Sequence, residues 1–247
     1  MGGLRKNWKP GDKFLVRHKD DHVVVVEKSA GLLTVPTPNK KGDSLLGLLR
    51  QFVTHPRRRQ TLFAVHRLDK VVSGLLVFSR TSQAKEHLIS QFAEHSVKRI
   101  YLACVDGVLP DDEGTFESWF QTDERTLRVY SSENDQGKHA VTHWRVVKRF
   151  PRNTLIEVRL ETGARNQIRV HFSEAGFPLL GEKKYLDLEH PDFSTRQGSN
   201  RIFLHATKLG FIHPQTKKYT EFETPLPPDL RKWKSKLGSG KDVKHSE

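Results

Sequence analysis

Read from its N-terminus, the chain alternates short apolar runs with polar stretches, and most of the runs have the character of strands. Val23–Val26, Leu75–Phe78, Ile100–Val105, Ala140–Val147, Leu155–Leu160 and Arg201–Thr207 are rich in β-branched or aromatic residues, several with period-two alternation. Two stretches carry helical spacing instead. Ala84, Leu88, Ile89 and Phe92 share one face of a segment that Thr81 or Ser82 can N-cap. Ile168, Phe172 and Ala175 share a face of Asn166–Ala175, which stops at Gly176 and Pro178. Asp43–Val53, with Leu45, Leu48, Leu49 and Phe52, is a weaker helical pattern. Strands in adjacent runs with few helices between them predict an α+β fold, a mainly antiparallel mixed sheet with flanking helices.

The two ends differ from this pattern. Residues 1–20 and 234–247 are polar and basic and are predicted to be tails around one globular domain at 21–233. Polar loops are expected near Thr122–Arg125, Ser131–Gly137 and Asp187–Asn200.

Charge narrows the function. Among 247 residues, 42 Lys+Arg against 29 Asp+Glu leave a formal net charge of +13. With clusters such as His55-Pro56-Arg57-Arg58-Arg59, this excess points to nucleic acid. An anionic lipid surface fits less well, because no strongly amphipathic basic helix is visible. No apolar run approaches the ~18 residues of a membrane span, and the N-terminus lacks the apolar stretch of a secretory signal. The one cysteine, Cys104, cannot form an internal disulfide and sits among apolar strand neighbours, where it reads as core. A cytoplasmic protein is expected.

Familiar cofactor and metal motifs are missing. Gly238-Ser239-Gly240-Lys241 has no preceding strand, and the pairs His18/His22 and His139/His143 lack the glutamate of a metalloprotease helix. What remains is Val65–Phe78, where a strand leads into a polar segment and Gly74 opens a second strand. Asp69 is then a loop carboxylate flanked by Arg67 and Lys70. Such neighbours keep an aspartate ionised, as a carboxylate nucleophile requires. The plainer reading is a turn aspartate that bonds nearby amides.

His66-Arg67-Leu68-Asp69 followed by Ser73-Gly74 resembles the signature of the RluA-type pseudouridine synthases. Other segments resemble the family's further motifs in order: Val24–Leu33, Lys98–Ala103, Glu161–His171, and Leu204-His205-Ala206 with Phe211. The resemblance runs from about residue 22 to 230.

It implies an isomerase, without cofactor or metal, that converts uridine in ribosomal or transfer RNA to pseudouridine within a central RNA-binding cleft; a monomer is expected. The target base must leave its stack to be reached. Asp69 matches the catalytic aspartate, which attacks the sugar or assists formation of a glycal. Tyr101 matches the tyrosine that packs on the target base, and Arg169 the arginine that pairs with the aspartate. Arg67 matches the residue that fills the gap left by the flipped nucleotide, and Arg57, Arg58, Arg59 and Arg165 are expected RNA contacts. His66, His171 and His205 are read as structural. The chain departs from the pattern at Ser29, Val72, Ala164, Asn166 and Glu182, none of which removes a catalytic group. Two other readings stay open: an aspartate-dependent nucleoside N-glycosylase and a catalytically silent basic RNA-binding protein. Pseudouridylation leaves RNA mass unchanged, whereas base release does not.

Overall fold

The computed structural model describes residues 11–37, 43–53, 61–132, 135–186 and 201–238. Along the chain run β1 (Phe14–Lys19), β2 (Val23–Lys28), α1 (Leu45–Val53), β3 (Phe63–Ala64), β4 (Ser73–Ser79), α2 (Ser82–Ala93), β5 (Lys98–Asp106) and β6 (Glu113–Thr122). There follow β7 (Val129–Ser132), β8 (Lys138–Arg149), β9 (Asn153–Leu160), α3 (Gln167–Glu174), β10 (Leu204–Ile212), β11 (Tyr219–Glu223) and α4 (Pro228–Leu237). They group into two units, the first within Met1–Arg99 and Ala206–Pro225, the second within Ile100–His205 and Leu226–Glu247.

In the first unit the strand order is β1-β2-β4-β10, with β3 on β4 and β11 on β10. The pairs β1–β2, β2–β4, β3–β4 and β10–β11 are antiparallel. Val23, Val24, Val25 and Val26 of β2 are all 0% exposed, which explains why this strand shows no alternation in sequence. Val23 and Val25 join Leu75, Val77, Leu209, Phe211 and Leu88 of α2 in one core. α2 begins where Thr81 Oγ1 accepts the Ala84 amide N–H at 3.1 Å. Gly74 opens β4 with φ at +121°, and a Cβ there would run into the backbone of Ala206 in β10. Only glycine allows that approach.

The second unit is an antiparallel sheet ordered β5-β9-β8-β6-β7. Its register sets Tyr101, Val158 and Trp144 side by side on one face. On that face α3 places Phe172 edge-on to Phe116, with ring centres 5.0 Å apart, and near Trp144. The other face carries Cys104 and Leu155, packed with Phe150, Leu180, Phe203, Leu226 and Leu230 of α4. Two helices therefore cover opposite sides of one sheet.

The expected helices and strands recur with small shifts of boundary, and the corrections concern the ends. Residues 14–19 are not tail: they form β1, with Leu15 and Val16 buried and Arg17 ion-paired to the fully buried Glu27. The strand was hidden because three of its six positions are Arg, His and Lys. Likewise α4 extends through Leu237, so 234–237 are helical. Leu230, Trp233 and Leu237 pack into the core beneath a lysine-rich exposed side. The expected loop Asp187–Asn200 lies outside the described residues.

Candidate active site

Asp69 occupies the loop between β3 and β4, partly buried, and the backbone on both sides of it is fixed. The Thr34 hydroxyl accepts the Leu68 N–H at 3.2 Å and donates to the Leu68 carbonyl at 2.8 Å. The Lys70 carbonyl accepts the Gly31 N–H at 2.7 Å and Lys28 Nζ at 3.3 Å, and Val72 N–H closes a turn on the Asp69 carbonyl at 3.1 Å. Lys28 is fully buried at the end of β2, and its ammonium also donates to the carbonyls of Ser29 and Leu32 at 2.9 Å each. A charge so enclosed is tolerated only with such partners. Lys28 thereby ties β2 to the Asp69 loop.

His66 supports the loop from behind. Its Nε2 accepts the Val77 amide N–H at 3.0 Å, and its ring stacks on Phe92 of α2 at 4.5 Å. Burial, helped by the Arg99 charge, pushes its pKa down to about 3, so the ring is neutral. Arg67 is exposed, and no carboxylate among the described residues pairs with it.

Tyr101 and Arg169 both belong to the second unit, each 8% exposed. Tyr101 stands on the sheet face that α3 covers, and α3 carries Arg169. Arg169 donates from Nε and Nη2 to the two oxygens of Glu182, both at 2.7 Å. This planar fork is a grip that lysine could not make. Glu182 is 0% exposed, and its Oε1 also accepts the N–H groups of Lys183, Lys184 and Tyr185 at 3.0, 2.8 and 3.3 Å. Burial alone would raise its pKa, but the Arg169 bonds and charge together with the amide bonds outweigh it and hold the carboxyl low. The guanidinium of Arg169 also lies 5.1 Å from the Tyr185 ring centre.

The turn before α3 is anchored by Gln167. Its Nε2 donates to the Val141 carbonyl at 2.9 Å and to Thr142 Oγ1 at 3.0 Å, while Oε1 accepts from Thr162 Oγ1 and the Ala164 N–H. Ala164 thus holds its place through its backbone, and Arg165 beside it is exposed. His171 spans Ser118 and Thr142 at 2.8 Å each, and burial pushes its pKa down to about 4. Arg57, Arg58 and Arg59 lie outside the described residues.

Glu182 and Lys28 are not expected as partners from the sequence. A signal existed for each: Glu182 follows Leu179-Leu180-Gly181, and Lys28 ends a strand of four valines followed by Glu27. An acid or a lysine in such company is buried and must be satisfied.

Among the described residues, His18, Asp20 and His213 have the spacing of metal ligands, their ligand atoms within 4.8 Å of one another. The hydrogen bonding favours another role. His213 Nδ1 accepts the Gln215 and Thr216 N–H groups at 3.2 Å, which assigns the ring proton to Nε2, facing Asp20 Oδ2 at 2.9 Å. To hold a metal, that ring would have to surrender its last proton. Asp20 also accepts the His22 and Val23 N–H groups and so closes the β1–β2 turn.

Comparison with known proteins adds the following. The profile of the RNA pseudouridylate synthase family matches residues 22–174. The chain is 38% identical over 218 residues to an uncharacterized RNA pseudouridine synthase of Bacillus subtilis, covering 87% of this chain and 70% of that protein. It is 39% identical over 221 residues to the ribosomal large subunit pseudouridine synthase D of Neisseria meningitidis, covering 86% of this chain but 58% of that one. In structure it resembles human RNA pseudouridylate synthase domain containing 1, with a TM-score of 0.71 at 23% identity over 90% of this chain and 89% of that one.

Proposed function

The chain belongs to the RNA pseudouridylate synthase family, and from that premise we propose that it isomerises uridine in ribosomal RNA to pseudouridine, with Asp69 as the catalytic carboxylate. The observation that carries this reading is the family match itself, whose span takes in the Asp69 loop, Tyr101 and Arg169. Ribosomal RNA is favoured by the relatives named for the large ribosomal subunit and by the +13 charge.

The reaction breaks the bond between the sugar C1′ and the base N1, turns the base, and rejoins it through C5. The C5 proton leaves and N1 takes one up, so the product is an isomer. Asp69 acts at the sugar, for which its carboxylate must be ionised and aimed. The anchored flanks at Leu68 and Lys70 support that aim. Tyr101 packs on the extruded base. Arg169 is a charged partner of the reaction site, already oriented by Glu182. Arg67 and Arg165, both exposed, contact the RNA.

Mapping pseudouridine in ribosomal and transfer RNA from cells lacking the protein tests the substrate. Loss at a ribosomal position is the expected result. Loss confined to transfer RNA would overturn the ribosomal assignment.

A further inference from the structure

The second unit has a cavity on the side of its sheet away from Tyr101. Side chains alternate along β5, so Leu102 points opposite to Tyr101, and Leu102 lines this cavity with Phe150 and Leu226. Its volume is about 520 Å³, within the range of sites that seat small molecules.

The apolar floor is ringed by cations. Lys148 comes from β8, and Arg231 and Lys234 come from α4, three residues apart on its surface. Lys148 is there because of a bulge. β8 pairs Val146 with Ile156 and next Lys148 with Leu155, leaving Val147 over. Without the extra residue Val147 would take the place opposite Leu155, so the bulge turns the lysine toward the cavity. Lys148 Nζ lies 5.2 Å from the centre of the Phe150 ring. α4 is held in place by the fully buried Leu230 and by the ion pair of Asp229 with Arg201 at 2.7 Å. No carboxylate among the described residues pairs with Lys148, Arg231 or Lys234.

Three like charges around one hollow repel each other, and an anion relieves that repulsion. The apolar floor beneath them takes a flat, unsaturated group. A nucleotide offers both, a phosphate and a base. We propose that this cavity seats a nucleotide of single-stranded RNA away from the target uridine, its phosphate among Lys148, Arg231 and Lys234 and its base on Leu102, Phe150 and Leu226. The choice of RNA over a free nucleotide rests on the family reading given above. The cavity would add a remote RNA contact on the sheet face opposite Tyr101.

The test compares the full-length protein with the triple variant Lys148→Gln, Arg231→Gln, Lys234→Gln, which keeps side-chain bulk and removes the charges. The probe is a short fluorescent oligoadenylate, which contains no uridine and so does not engage the chemical step. Oligoadenylate affinity should fall about tenfold in the variant, and the log–log salt slope should flatten by about 0.7, the share of the one phosphate held there. The KM for ribosomal RNA should rise by about the same factor with kcat retained, since less RNA is held but the chemistry is untouched. If the triple variant does not fold, Arg231→Gln on the exposed side of α4 should still weaken the oligomer about twofold. Unchanged oligoadenylate affinity in a folded variant overturns the proposal. So does adenosine monophosphate that competes as tightly as the oligomer, because the site would then belong to a free nucleotide. Wild-type protein that forms no pseudouridine would sink the enzyme reading alone, since oligoadenylate binding is measured without it.

Discussion

Glu182 and Lys28 are fully buried charges: Glu182 binds Arg169, to which the family resemblance gives a part in the chemistry, and Lys28 binds the backbone carbonyl next to Asp69. Glu182 takes both oxygens to Arg169, and Lys28 holds the loop of Asp69. Glu182→Gln keeps the shape but leaves the Arg169 guanidinium without this counter-charge. Breaking one side of a buried pair costs about 3 kcal/mol, so the urea midpoint should drop clearly at an unchanged m-value. An unshifted midpoint would mean that the pair adds nothing to the fold. The two histidines held neutral give a second outcome. His66 and His171 have folded pKa values of about 3 and about 4, below the ordinary 6.5, so the unfolded chain binds more protons between those limits. Their contribution to stability is complete above about pH 6.5 and is lost as the pH falls toward 4. Between pH 7 and 5 each ring should remove about 2 kcal/mol, and His171→Gln should shed its share of that acid loss. Thermal melts at the two pH values read this directly, and parallel curves for wild type and variant would contradict it.

At the scale of elements, legibility followed locality. α2 announces itself through Thr81 and the stripe Ala84, Leu88, Phe92, all within one segment, and the Thr81 cap is formed. β1 and α4 were missed because their identity depends on partners far away in sequence. Basic side chains on their outer sides hide Leu15 and Val16 in one, and Leu230 in the other. β6 escaped for a related reason: between Phe116 and Phe120 its outward positions are Glu117 and Trp119, half-wet on an exposed face. Gly74 shows what the motif glycine is for. Gly74→Ala would drive a methyl group into the Ala206 backbone and separate β4 from β10. The melting temperature should fall by at least ~5 °C, or the protein should be recovered unfolded. A variant that melts like wild type would show that β10 can move aside freely.

At the scale of the molecule, the basic excess was plain from composition, whereas the division into units was not. The first unit is completed by Ala206–Pro225, more than a hundred residues after it leaves off at Arg99, and no local pattern announces such a return. The candidate site has the same character. Asp69, Tyr101 and Arg169 are legible as motif positions, but Glu182 becomes meaningful only when folding sets it against Arg169. On the proposed reading, the Asp69 carboxylate is what lets the protein isomerise uridine in RNA. The most direct measurement incubates ribosomal RNA with wild-type protein and with Asp69→Asn of equal melting temperature, then counts pseudouridine and weighs the RNA. Wild type should form pseudouridine at unchanged RNA mass. Asp69→Asn should form none while binding RNA as well or slightly better, since an amide is neither nucleophile nor base and a negative charge near phosphates is gone. Turnover retained by folded Asp69→Asn, or loss of uracil from the RNA, would contradict the claim.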